Sequence, residues 1–263
     1  MRIITLLENT SLREDLRAEH GLSLCIEACG RRILFDAGQS DAFARNAEKL
    51  GVDLSRVDLM VLSHGHYDHG GGIREFLRLN RSAPVYANPG VFLPHYNGTQ
   101  KYIGLDPELR GCGRFCCADE VVDLGGGLRL IPGRAVPQPF GAEPYGLTVL
   151  ENGVFRPDDF LHEQYLECTE NGRKILFSGC SHRGIRNITD FFRPDVLVGG
   201  FHFTKLDPEG AGAPVLRENA EALLRYPTVY YTCHCTGAAQ YAFLKPLMGD
   251  RLHGLSTGSV LEL

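Results

Sequence analysis

Ser63-His64-Gly65-His66-Tyr67-Asp68-His69 places three imidazoles and one carboxylate within six residues, just after the apolar run Leu59–Leu62 and just before Gly70-Gly71-Gly72. Imidazole with carboxylate suits Zn(II), Fe(II) or Mn(II). Four such donors on one tight loop are too many for one ion to take comfortably. Side chains two apart face one metal, while Asp68 and His69 turn toward a neighbour, as in paired sites about 3.5–4 Å apart. An apolar strand ending in ligands is also a fold statement, because α/β proteins assemble sites from buried strands whose polar ends meet at one sheet edge.

Other strand ends repeat the pattern. Ile175–Ser178 runs into Gly179-Cys180-Ser181-His182, Val196–Val198 into Gly199-Gly200-Phe201-His202, and Val229–Thr232 into Cys233-His234-Cys235. His182 and His234 are therefore the expected distant metal ligands. Cys180 is a further candidate ligand, since a thiolate binds zinc well, whereas Cys233 and Cys235 read as core residues. Cys112, Cys116 and Cys117 match no standard cluster spacing. Asp36, closing Leu34-Phe35-Asp36-Ala37-Gly38, is placed to hold a ligand histidine from behind and fix its tautomer. His202 suits a proton-transferring imidazole at the pocket wall.

Around these stations the chain alternates strand and helix signals. Apolar, β-branched runs at 2–7, 22–28, 31–36 and 57–63 read as strands, and Ser40–Leu50 and Ile73–Leu79 as helices. Gln164–Thr169 and Lys174–Ser178 flank a turn at Glu170-Asn171-Gly172-Arg173. From about 81 to 146 the periodicity breaks up among Gly, Pro and aromatic residues, an elaborated region within one domain spanning 1–263.

Composition narrows the function classes. The 263 residues are 43% hydrophobic and 22% charged, with a formal charge of -5. No basic footprint for nucleic acid is present. No apolar stretch approaches the roughly 20 residues that cross a bilayer, and the N-terminus has no secretory pattern. Nine cysteines, an odd number at irregular spacings, point to reduced thiols and a cytoplasmic setting.

Leu34-Phe35-Asp36-Ala37-Gly38 followed by His64-Gly65-His66-Tyr67-Asp68-His69 resembles the metallo-β-lactamase superfamily. Glu8-Asn9-Thr10, Glu19-His20-Gly21-Leu22-Ser23, Gly179-Cys180-Ser181-His182, Gly200-Phe201-His202 and Cys233-His234-Cys235-Thr236-Gly237 are similar to its subfamily of 7,8-dihydropterin-6-yl-methyl-4-(β-D-ribofuranosyl)aminobenzene 5'-phosphate synthases. The resemblance implies an α/β fold of αββα type, two mixed sheets flanked by helices. It further implies one or two divalent transition metals, zinc first and iron or manganese as alternatives. His64 and His66 would serve the first metal; Asp68, His69 and His234 the second; His182 is a further ligand. Two departures stand out: Gly179-Cys180 where most hydrolases of the superfamily carry a bridging aspartate, and Pro132-Gly133-Arg134 where they carry Pro-Gly-His.

The expected chemistry is hydrolysis of an ester or phosphoester in a small molecule by a metal-activated water, with Asp68 orienting or deprotonating it and His202 protonating the leaving group. The alternatives are a synthase-like transferase on a phosphorylated, pterin-like substrate, with Arg110, Arg114 and Arg134 as anion contacts, and a metal-containing protein that binds such a ligand without turnover. The expected partner is thus a small molecule, with neither nucleic acid nor membrane. Oligomeric state is left open.

Overall fold

The computed structural model describes residues 1–263. One seven-stranded sheet comprises β1 (Arg2–Leu7), β2 (Ser23–Ala28), β3 (Arg31–Phe35), β4 (Leu59–Val61), β5 (Val85–Ala87), β8 (Phe115–Cys117) and β18 (Val260–Glu262), in the order β18-β1-β2-β3-β4-β5-β8. A small sheet holds β6 (His95–Asn97), β7 (Lys101–Tyr102), β11 (Leu147–Glu151) and β12 (Val154–Pro157). The second seven-stranded sheet comprises β9 (Val122–Gly125), β10 (Leu128–Pro132), β13 (Gln164–Glu170), β14 (Arg173–Gly179), β15 (Val196–Gly199), β16 (Val229–Thr232) and β17 (Leu252–Gly254), in the order β17-β16-β15-β14-β13-β10-β9. Both large sheets are mixed: β1, β2 and β3 pair antiparallel and β3, β4 and β5 parallel, while β13–β14 is antiparallel and β14, β15, β16 and β17 run parallel.

The period-2 alternation of strand side chains decides how the layers stack. Leu24, Ile26, Ile33, Phe35, Leu59 and Val61 from the first sheet meet Leu130, Leu166, Ile175, Phe177, Val196 and Val198 from the second, forming the core between the sheets. Their neighbours point outward. Cys25, Leu34 and Met60 pack against Phe43 and Ala47 of α1 (Ala42–Lys49) and, beyond the short α2 (Tyr67–Gly70), Ile73 and Phe76 of α3 (Ile73–Leu79). Tyr165, Leu176, Leu197 and Tyr230 pack against α4 (Ile185–Phe192), α5 (Gly212–Leu223) and α6 (Ala238–Met248). This is the αββα sandwich that the resemblance implied. No helix is long and apolar enough to cross a membrane.

Element boundaries follow local chemistry. The expected turn at 170–173 is a two-residue hairpin between β13 and β14, with Asn171 and Gly172 both at positive φ (53° and 75°), which matches the twist of the flanking strands. The apolar run at 57–63 shrinks to β4; Leu62 still donates to the Tyr86 carbonyl, and Ser63 turns to Asp36 at the site. The aperiodic region at 81–146 contains short strands such as β6 and β8, whose two or three residues cannot establish a period.

Candidate metal centre

The site lies where β3, β4, β14 and β16 end. Asp36, fully buried after β3, organises the first of these ends. Its Oδ1 accepts from Ser63 N at 2.7 Å, and its Oδ2 accepts from both Ser63 Oγ and His69 Nδ1 at 2.7 Å. With its proton committed to Asp36, Ser63 Oγ accepts from His64 Nδ1 at 2.8 Å. One carboxylate therefore fixes two imidazoles as Nδ1–H tautomers and leaves both Nε2 lone pairs free for a metal. Ser63 Oγ must sit so close to β14 that a Cβ on Gly179 would lie 2.5 Å from it, so glycine, at φ +62°, is required there.

The freed nitrogens converge. His64, His66 and His182 present ligand atoms within 4.8 Å of one another, all three side chains buried, and His64 Nε2 lies 3.3 Å from His182 Nε2. Two ligands each about 2.0–2.1 Å from a tetrahedral metal stand roughly 3.3–3.4 Å apart, so this spacing is that of a metal-binding pair. Burial, followed by the neighbouring imidazoles, pulls His64 and His66 well below their ordinary pKa; His182 is lowered by burial and by His202, then by His64 and His66. All three are neutral and ligand-competent at neutral pH. His182 Nδ1 and His66 Nε2 are buried without a hydrogen-bond partner.

A second group forms beside the first. Asp68 Oδ2 lies 3.3 Å from His234 Nε2 and 3.1 Å from His20 Nε2, and these three residues form their own cluster. Asn9 Oδ1 accepts from His234 Nδ1 at 2.9 Å, while Asn9 Nδ2 donates to the His234 carbonyl at 3.3 Å, so the Nε2 lone pair of His234 faces the Asp68 carboxylate. Two electron-rich atoms face to face call for a cation between them. Glu8 reinforces the arrangement by accepting from His234 N at 2.6 Å. Burial would raise the Asp68 carboxyl, but the adjoining His20 and His234 hold it well below the usual carboxylate range. For His69 burial works downward, and Asp36 overrides it to carry this imidazole above its ordinary pKa. The donor chemistry fits divalent transition metals in both groups.

Cys180 is buried with Sγ 3.1 Å from His69 Nε2, and it clusters with His64 and His69 between the two groups. Cys233 belongs to the core between the sheets, and the Cys235 thiol reaches the Cys180 carbonyl at 3.4 Å. Cys112, Cys116 and Cys117 are partly or fully exposed and join no donor cluster. His202 stands half-buried with its ring 4.1 Å from that of His182. Burial, reinforced by His234, takes His202 down to about 4, so at neutral pH it is a neutral imidazole. Asp36, Ser181, His202 and His234 all hold left-handed backbone (φ 59°, 58°, 55° and 49°), a strain of order 1–3 kcal/mol each that the surrounding hydrogen bonds must offset.

The three arginines expected as anion contacts lie elsewhere. Arg114 donates to the carbonyls of Ala83 and Asn80, Arg134 pairs with Asp119 at 3.1 Å, and Arg110 is exposed. Each serves its own strand edge or the solvent.

Several contributors escaped the sequence reading. Glu163, fully buried and raised by burial to about 7, accepts from His182 N at 2.8 Å, Arg183 N at 3.1 Å and Tyr165 Oη at 2.7 Å, fixing the loop that presents His182. Behind His66 lie His95, Asp158 and His162, with ligand atoms within 4.8 Å of one another and of His66. His162 Nδ1 already accepts from Gly65 N at 2.9 Å, so the neutral ring has only an N–H to turn toward Asp158 Oδ2, 3.4 Å away. His95 Nδ1 meets the same oxygen at 2.8 Å. Lacking a free imidazole lone pair on His162, this cluster braces His66. Glu8 and Asn9 follow an apolar strand, the signal that found the histidines, but a carboxylate or amide at a strand end is too common to stand out, and Asp158 follows the exposed strand Val154–Pro157, which gives no such signal.

A model of the metallo-beta-lactamase superfamily matches residues 16–207. Across 75% of this chain and 77% of the relative, the sequence is 30% identical to the uncharacterized protein MJ0448 of Methanocaldococcus jannaschii. It is 28% identical, over 96% of this chain and 94% of the relative, to a protein of the same organism named 7,8-dihydropterin-6-methyl-4-(beta-D-ribofuranosyl)-aminobenzene-5'-phosphate synthase. The crystal structure of Tm1679, described as a metal-dependent hydrolase of the beta-lactamase superfamily, superposes with a TM-score of 0.83 at 29% identity, covering 100% of this chain and 99% of that one. With Asp36, the histidine loop and the two distant histidines meeting at the ends of a matching sandwich, this chain belongs to the metallo-β-lactamase superfamily.

Proposed function

We propose that this protein is a metal-dependent hydrolase of a small, anionic ester or phosphoester. The observation that carries the reading is the pairing of a buried three-imidazole group with the Asp68 group, His182 of the first also lining an open cavity. When bound there, divalent metal supplies a water of lowered pKa and a Lewis acid. Asp68, ionised and acceptor-only, would hold metal and accept a hydrogen bond from a water beside it. His202, neutral and beside His182, offers a hydrogen-bonding imidazole at the cavity wall. The likeness to Tm1679 supports hydrolysis, and zinc is the metal we assign first, with iron or manganese as alternatives.

The cavity of about 290 Å³ is lined by Phe140, Tyr145, His182, Arg186, His202 and Asn219, among others. Its volume suits a small molecule. The Arg186 guanidinium stands 4.5 Å from the Phe140 ring centre and pairs with Glu218 at 2.7 Å, which sets a cation beside an aromatic face. A flat-ringed, pterin-like substrate would meet the aromatic lining of Phe140 and Tyr145, while the Arg186 charge is already paired with Glu218. A second reading, synthase-like transfer, draws on the near full-length likeness to the protein named as that synthase.

The test is turnover of aryl esters and phosphodiesters by metal-loaded protein in ¹⁸O-labelled water. Metal-dependent product carrying the label supports hydrolysis. Product without label supports transfer, and no product from any substrate sinks the enzyme reading.

A further inference from the structure

The second group contains a histidine without an assigned role. His20 lies between β1 and β2, half-exposed, yet its Nε2 comes within 3.1 Å of Asp68 Oδ2 and its ring centre within 4.6 Å of that of His234. The spacings 3.1 and 3.3 Å around Asp68 Oδ2 stand beside the 3.3 Å between His64 and His182, close to the ligand-to-ligand separation of a tetrahedral ion in each case.

The backbone carrying His20 is fixed by the same residues that fix the ligands. Gly21 N donates to Asn9 Oδ1 at 3.2 Å, the oxygen that also orients His234. Leu22 N donates to the Asp68 carbonyl at 3.3 Å. A Cβ at position 21 would lie 2.5 Å from that carbonyl oxygen, and Gly21 has a φ of +150°, so only glycine lets the chain pass this close. Before His20, Glu19 accepts from Ser40 Oγ at 2.8 Å and its amide donates to the Glu8 carbonyl at 3.2 Å. An exposed side chain on so fixed a stretch of backbone is held ready at one place.

Donor arithmetic then gives the side chain a task. The first group has three close imidazoles, and Cys180 clusters with His64 and His69 rather than with Asp68. Without His20, Asp68 and His234 would be a close pair with only His69 to add. We propose that His20 is a ligand of the second metal, completing a site with Asp68, His69 and His234 and supplying from the loop before β2 the donor that the absent bridging carboxylate leaves wanting. The proposal rests on metal occupying the site, not on the reaction it serves.

The test is equilibrium dialysis of the whole protein against Zn(II), and Co(II) absorption, for wild type, His20→Ala and His20→Cys. Wild type should take two equivalents. His20→Ala should keep the first and bind the second at least about tenfold more weakly, the range seen when the surroundings of a metal site are altered. His20→Cys should bind two and add a sulfur-to-cobalt charge-transfer band, which also serves should the alanine variant fold poorly. Wild-type affinity and spectrum for the second equivalent in His20→Ala, no new band in His20→Cys, or only one equivalent in wild type would each overturn the assignment. Absent turnover with these metal shifts intact would remove the hydrolase reading and leave His20 in place.

Discussion

The two donor groups are built from the same loop but on different terms. His64, His66 and His182 form an all-imidazole, buried group in which Asp36 and Ser63 set the His64 tautomer and Glu163 fixes the loop carrying His182. Asp68, His234 and His20 include a carboxylate, reach half-exposed surface at His20 and depend on Glu8 and Asn9 from the end of β1. The first is rigid because its histidines are neutral and enclosed; the second carries charge and opens outward. Metal should therefore load in order of enclosure, tightly at the first and more weakly at the second.

Removing Asp36 should erase the contrast. Asp36→Ala frees two imidazole tautomers and the Ser63 amide at once, and breaking a buried hydrogen-bonded network from one side costs about 3–5 kcal/mol. Urea denaturation of the metal-free protein should show a loss of that size, with both metals lost in dialysis. His66→Ala should abolish most bound metal while the fold persists, and equal metal content in wild type and variant would refute the first group. Asn9→Ala should sharpen the comparison by weakening only the second metal, by about 10–100-fold.

Acid should break the comparison from the other side. His64, His66, His162, His182, His202 and His234 all have folded pKa values below the ordinary 6.5, with burial the leading cause in each. Between 6.5 and those lower values the unfolded chain binds more protons than the folded one, so stability falls as pH drops below about 6.5. His69 and Glu163, both raised, work in the opposite sense, two groups against six. Denaturation midpoints of the metal-free protein at pH 7.5 and 5.5 check the sign. Smallest of all, Cys112→Ala should change neither metal content nor stability, since its thiol is in no donor cluster.

The candidate site was legible where chemistry is rare. Three histidines and an aspartate in six residues, and histidines after apolar strands at 182 and 234, are unusual enough to be read directly, and all of them meet where strands of the two large sheets end. Asp36 was legible because it ends a strand before a glycine. His20 was visible only as part of a motif. Arg110, Arg114 and Arg134 show the converse: charge in an aperiodic region suggests a role, but edge carbonyls and solvent claimed all three.

The sequence by itself determined the sandwich and the donor types. Alternation along β2, β3 and β14 buries both faces of each strand, and glycines or short turns end those strands where the donors begin. Only the tertiary structure decided which donors share an ion and what holds them. Asn9 meets His234 across 225 residues of chain, and His182 Nε2 meets His64 Nε2 across 118. Such pairings follow from sheet order and hydrogen-bond direction, which act through space, and local periodicity carries no record of them.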